Sequence, residues 1–325
     1  MALLGDGEAT YESSSYSRFR EVPKVLMDYG IVHHSFRGLY EFKKICEDFF
    51  VDLMEGDLKG DMEGKSPYLG FTRVGLSDIS SIDEIRLQGD VPKMTILYDS
   101  GEEVLIVKFM VGVTHETCAG LLQMSFIEAV RARVGHIYSM YSLKSARFRS
   151  AQRMKEADDS FKPRTRNNES DWPSIVFEVG VSERLTELRQ DARYWLESSP
   201  QQQTRIVILA SVNKTAGTMI IERWEAAAPT LQAAAPTLQA AAPTLQAARN
   251  VNNRNPYSPQ VVPICMQTLT LERDQHYAGP PLSIPATLVF DVLPLSHGPA
   301  WGPSDFEITV HMLNMLNEMF WDGLD

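Results

Sequence analysis

Ser174-Ile-Val-Phe-Glu-Val-Gly-Val181 sets one carboxylate, Glu178, in the middle of an apolar run. A run this short, rich in branched and aromatic residues, suits a central strand buried on both faces. An ionised carboxylate buried there is costly unless something pairs with it. A basic side chain such as Arg193 on the next segment would make the feature structural. A metal ion would make it chemical.

About twenty residues earlier, Ala157-Asp-Asp-Ser-Phe161 opens a second short strand that stops at Pro163. Two adjacent strands that present Asp158 and Glu178 at one edge could hold Mg2+ or Mn2+, ions that prefer oxygen ligands and keep several waters. Such an ion can activate a water and steady charge on a phosphate. Strand alternation is expected to turn Asp159 to the opposite face.

Outward from this pair the pattern stays regular. After Glu178, Ser182 is placed to cap a helix over about Glu183 to Ser198, with Leu185, Leu188, Ala192, Trp195 and Leu196 inward. Strands Arg205 to Ala210 and Thr218 to Trp224 follow. Before Asp158, residues Lys93–Tyr98 and Val104–Phe109 read as a hairpin across Asp-Ser-Gly-Glu. Thr114 can cap a helix to about Val134 whose apolar face is Leu121, Leu122, Met124, Phe126, Ile127 and Val130. The order of strands, helix, strands, helix, strands predicts an α/β sandwich with a mixed central sheet flanked by helices.

The flanks divide the chain. Residues 1–91 read as a partly helical N-terminal extension: a loose start over 1–20, a mostly helical stretch from Val25 to Leu53, and an exposed loop over 55–64. Residues 92–225 form the core. Residues 226–261 are an insertion and linker that begins with three perfect copies of Ala-Ala-Ala-Pro-Thr-Leu-Gln over 226–246. A proline in each copy opposes a helix, and the unit is far shorter than a solenoid repeat. Residues 262–325 supply a strand and a closing helix, about Ser304 to Trp321, that pack on the core. Met312, Met315 and Met319 on that helix are expected to be packing residues, and His33-His34 lacks a third ligand nearby.

The 325 residues carry a net charge of −11, which opposes general coating of nucleic acid. Between Arg131 and Arg166, however, ten basic residues stand against three acids, a local surplus of +7 beside the acidic pair. Phosphate attraction is the functional reading of that run. The three cysteines lie far apart and show no ligand spacing. The start, Met1-Ala-Leu-Leu-Gly-Asp, lacks the basic and apolar pattern of a signal peptide, and no apolar run would cross a bilayer. A cytoplasmic or nuclear location without membrane attachment is expected.

Three stretches together carry a resemblance: Lys155-Glu-Ala-Asp-Asp-Ser-Phe-Lys-Pro163, Trp172-Pro-Ser-Ile-Val-Phe-Glu-Val-Gly-Val-Ser-Glu183 and Leu188-Arg-Gln-Asp-Ala-Arg-Tyr-Trp-Leu196. The chain resembles a group of uncharacterised fungal proteins, and through them the bacterial restriction-endonuclease-like branch of the PD-(D/E)xK nucleases. The resemblance covers roughly residues 92–225. It implies a restriction-endonuclease-like core and Mg2+- or Mn2+-dependent hydrolysis of DNA or RNA. It also implies that His115-Glu116 opens the preceding helix, so that Glu116, Asp158 and Glu178 are the acidic metal ligands. The chain departs from the pattern at Ala157, where the family has proline, and at Gly180, where it has the lysine that positions the attacking water. Lys155, Arg189 and Arg193 are the candidates to replace that lysine. If none does, the fold serves as a silent binding or interaction module.

Overall fold

The computed structural model describes residues 22–59, 65–110, 112–181, 183–227, 261–295 and 306–324. The expected loose start over 1–20, the Ser182 cap and most of the 226–261 insertion lie outside them.

Chain order begins with α1 (Lys24–Tyr29), β1 (His33–Ser35), α2 (Leu39–Lys59), β2 (Tyr68–Thr72) and α3 (Leu76–Gln88). Then come β3 (Met94–Asp99), β4 (Val104–Phe109), α4 (Gly112–Val134), β5 (Met140–Ser142), β6 (Arg147–Arg149), β7 (Arg153–Glu156) and β8 (Asp159–Pro163). β9 (Ile175–Val181), α5 (Leu185–Ser198), β10 (Ile206–Asn213) and β11 (Thr218–Ala227) complete the central run. The tail adds β12 (Val262–Glu272), β13 (Leu282–Ile284), α6 (Ala286–Val289), β14 (Phe306–Ile308) and α7 (Val310–Asp322).

The strands form two six-stranded sheets and a small β13–β14 pair. The first sheet runs β1-β2-β4-β3-β7-β6 and the second β12-β11-β10-β9-β8-β5. Both are mixed: β1 with β2 and β9 with β10 are parallel, and the remaining ladders are antiparallel. Each parallel pair is bridged by a helix, α2 or α5, as parallel neighbours require. The protein is thus a mixed α/β fold with helices flanking mixed sheets. The expected single sheet is two: the chain enters the second at β5, returns to the first for β6 and β7, and crosses again at Ala157-Asp158, between β7 and β8.

Several local expectations change. Residues 25–53 hold α1, β1 and part of α2, because Gly30 adopts the left-handed φ of +63° that closes α1. α2 runs on to Lys59, into the stretch expected as loop. The segment expected as an N-terminal extension supplies β1 and β2 to the first sheet. Met124, Met315 and Met319 are exposed rather than packed.

Three apolar layers hold the fold. α2 and α3 cover one face of the first sheet, through Phe42, Ile79, Ile82, Leu105 and Val107. α4 and the tail cover the far face of the second, through Phe126, Val130, Phe177, Ile208 and Leu313. The middle layer brings both sheets together with α1 and α5, through Leu26, Ile106, Val176, Trp195 and Leu209. Strand alternation decides what else enters that layer. Ile175, Phe177 and Val179 turn to α4, so Val176 and Glu178 turn to α5. On β4, Val104 and Ile106 face inward, and Lys108 shares their phase. On β7, Met154 faces outward and Lys155 inward.

Candidate functional site

The middle layer therefore contains charge. Asp158, Glu178, Glu183 and Asp191 meet Lys108 and Lys155 there, and each of these side chains is at most 4% exposed.

Lys108 stands at the centre. Its Nζ donates to Val179 O at 2.8 Å and to Asp158 Oδ2 at 3.0 Å. Glu183 Oε2 lies at 3.6 Å and Glu178 Oε2 at 3.9 Å. Asp158 Oδ2 also accepts from Val179 N at 2.8 Å and contacts His115 Nε2 at 3.2 Å. The other Asp158 oxygen, Oδ1, is buried without a hydrogen-bond partner. Glu183 meets Lys108 as an ion pair and lies close to the Tyr68 hydroxyl. The Tyr68 hydroxyl that faces this region is committed to Asp191 Oδ2 at 2.6 Å.

Lys155 holds the other side. It donates to Asp191 Oδ1 at 2.7 Å and lies 3.5 Å from Glu178 Oε1. Trp195 Nε1 donates to that Glu178 oxygen at 2.5 Å. Tyr29, at the end of α1, hydrogen-bonds Asp191 Oδ1. The space between Tyr29, Tyr68, Lys108, Lys155 and Asp191 is about 10 Å³, no more than one water needs.

These contacts shift the protonation equilibria. Burial alone would raise Asp158, but Lys108, His115 and the Val179 amide hold it well below the usual carboxylate range. Burial raises Glu178 well above that range, with help from Asp158 and Asp191 and against Lys155 and Lys108. Burial likewise pushes Glu183 up to about 8, against the pull of Lys108. Burial opposes the charge on Lys108, yet Asp158, Glu183 and Glu178 keep its pKa well above the ordinary value.

Sequence reasoning placed three site residues in this cluster: Asp158, Glu178 and Lys155. Two others fall outside it. Glu116 points away from the layer, is half-exposed, and pairs with Lys93 at 2.6 Å. Its neighbour His115 is the residue that turns inward, because α4 presents adjacent residues on different faces. Arg193 is exposed on α5, so Glu178 pairs with lysines rather than with an arginine. Arg189 is engaged by Glu222 through two hydrogen bonds of 3.1 and 2.5 Å. Asp159 turns to Lys144 at 3.4 Å, away from the cluster, although it is buried rather than outward-facing.

At Gly180, where the resemblance would place a lysine, any side chain would crowd Glu183 in this arrangement. A Cβ there would meet Glu183 Oε2 at 2.6 Å and its Cβ and Cδ at 2.9 Å. Lys108, Asp191, Tyr29 and Tyr68 were missed. The signal for Lys108 was present: a single lysine in phase with Val104 and Ile106 in an otherwise apolar strand mirrors Glu178.

The basic run is largely consumed by internal contacts. Arg147 pairs with Asp83 and Glu156, Arg153 with Asp99 and Arg166 with Asp291. Lys162 donates to Asn168 O. An exposed basic and aromatic surface remains beside β5. There His136 stacks on Tyr138 at 5.8 Å, and the Arg164 guanidinium lies 5.8 Å from the Tyr141 ring. Arg164 also donates to Tyr138 O, which joins the two contacts.

The residues do not fit a divalent metal as they stand. Among the described residues no three His, Cys, Asp or Glu side chains converge closely enough to hold one. The space between Asp158 and Glu178 is taken by the Lys108 ammonium. Among the described residues no helix is long and apolar enough to cross a membrane.

No family model matches the chain, and no curated protein matches it. Among solved structures it is similar to a nuclease candidate of the DUF820 group from Anabaena variabilis, with 12% identity and a TM-score of 0.36. That likeness covers 68% of this chain and 90% of the other.

Proposed function

We propose that this chain is a catalytically silent relative of the PD-(D/E)xK nucleases that binds nucleic acid without cutting it. The observation that carries the reading is the state of the acidic pair. Asp158 and Glu178 are each about 1% exposed at the side chain and are paired with Lys108 and Lys155. A phosphodiester could not reach either carboxylate without a rearrangement of the buried layer. The order of the sequence motifs supports the kinship, and Gly180 with its Glu183 neighbour supports the loss of chemistry.

Binding is supported by the surface beside β5. Tyr138 is 73% exposed and Tyr141 is 40% exposed, with Arg164 and Lys144 close in sequence and pairing. Exposed aromatic rings among cations suit stacked bases and their phosphates, a sequence-tolerant mode of recognition.

A second reading is favoured by one observation. Asp158 Oδ1 is buried without a hydrogen-bond partner, so the cluster retains unused acceptor capacity for a cation. A conformation that withdrew Lys108 would then be a Mg2+- or Mn2+-dependent nuclease.

Incubation of the purified chain with single- and double-stranded DNA and RNA, with Mg2+ or Mn2+, separates the two. Salt-sensitive binding without turnover is expected. Metal-dependent cleavage that disappears in Asp158→Asn or Glu178→Gln would overturn the silent reading.

A further inference from the structure

The chain around β5 sorts its side chains by burial. Ile137 and Met140 turn into the apolar layer under α4 and hold the segment down. His136, Tyr138 and Tyr141 are left to solvent. The rings are held rather than loose. Arg164 follows β8, the neighbour of β5, and its backbone N donates to Ser139 O at 2.9 Å. Its guanidinium lies 5.8 Å from the Tyr141 ring and donates to Tyr138 O at 3.3 Å, so one arginine ties both tyrosines together. Just beyond β5, the Ser160 hydroxyl donates to Lys144 O at 3.1 Å, and the Lys144 side chain is 62% exposed. Two rings and two cations thus share the outer edge of the second sheet.

Charge decides which nucleic acid suits this edge. A duplex keeps its bases stacked inside and is held chiefly through its phosphates, which takes several available cations. The chain carries a net charge of −11, and most of its basic run is engaged by internal carboxylates. Lys144 itself has Asp159 at 3.4 Å. A single strand presents the faces of its bases, and their stacking on aromatic rings does not depend on net charge. We propose that the β5 edge is a single-strand site, where Tyr138 and Tyr141 stack unpaired bases and Arg164 and Lys144 hold the adjoining phosphates. The inference rests on the binding reading above and narrows it from nucleic acid in general to unpaired strands. Neither Asp158 nor Glu178 takes part.

The test is fluorescence anisotropy of the full chain with labelled oligothymidylate, oligouridylate and a DNA duplex of the same length. The tighter of the two single strands should bind at least about tenfold more tightly than the duplex. Tyr138→Ala and Tyr141→Ala should each weaken that binding by about tenfold, while Tyr138→Phe, which keeps the ring, should bind as wild type does. Arg164→Gln should weaken binding and flatten the slope of log affinity against log salt by about 0.7, the share of one phosphate contact. Both tyrosines are exposed, so the variants should melt at the wild-type temperature. The inference is overturned if the duplex binds as tightly as the tighter strand, or if both alanine variants bind like wild type. Nucleic-acid binding at another surface then still stands. A chain that binds neither strands nor duplex overturns the binding reading itself, and this inference with it.

Discussion

Asp158 and Glu183 meet the same ammonium, but their contributions to stability run in opposite directions with pH. Burial pushes Glu183 up to about 8, from an ordinary value of 4.5. Between those values the folded chain holds a proton that the unfolded chain releases, so the stability it contributes is full below 4.5 and is lost as pH rises through about 8. Urea denaturation across this window should show stability falling with pH, at up to about 1.4 kcal/mol per unit for one proton. Glu183→Gln should flatten the slope and raise stability at the alkaline end. Asp158 is held low, so its contribution is present above the unfolded carboxylate pKa of about 3.9 and is lost only as pH falls below it. Asp158→Asn removes the charge nearest Lys108 and leaves a buried ammonium underpaired. A loss of about 3–5 kcal/mol at neutral pH is expected from the same denaturation curves.

β9 and the turn into α5 show why part of the site could be read in advance and part could not. An acid inside an apolar strand stands out in one dimension, so Glu178 was legible, as was Asp158 through its spacing and motif. Glu116 and His115 are adjacent, and which of the two faces inward depends on where α4 docks, which the local pattern leaves open. Lys108 belongs to a different sheet from Glu178, and only the stacking of the two sheets brings them together. The crowding at Gly180 is also something the sequence does not display: Glu183 folds back over that position. Gly180→Ala should therefore destabilise the chain by about 1–3 kcal/mol, through crowding against Glu183. Glu183→Ala removes the Oε2 and Cδ contacts but keeps the Cβ, so it should relieve part of that penalty, and a double-mutant cycle by chemical denaturation should give a coupling smaller than the penalty itself. No such coupling would mean that β9 and the Glu183 turn shift apart freely. At α1, Tyr29→Phe removes one donor to Asp191, which still keeps Lys155 and Tyr68. A loss of about 1 kcal/mol in the same assay is expected.

At the scale of the molecule, the sheet-to-sheet stacking was the least legible feature. The alternation of elements specified an α/β class but not that residues 22–91 would add strands to a sheet of their own with β3 and β4. The tail was easier, because β12 is long and β-rich, and it takes its place against β11. That pairing bears on the repeats. The first two alanines of the repeat, Ala226 and Ala227, continue β11, and Ala227 stands opposite Val262 across the ladder. The 34 residues from 228 to 261 therefore leave and re-enter the sheet at neighbouring positions. A turn of about four residues can join antiparallel partners so placed. Loop-closure entropy grows only with the logarithm of length, so replacing residues 228–261 by such a turn should stabilise the chain by about 2 kcal/mol. The shortened chain should keep its near-ultraviolet spectrum, and its nucleic-acid affinity should be unchanged because the β5 surface lies at the opposite edge of the sheet from β12. Loss of folding on shortening would show that the repeat segment contributes contacts to the β11–β12 edge. Loss of binding alone would place the repeat, rather than Tyr138 and Tyr141, at the nucleic-acid surface.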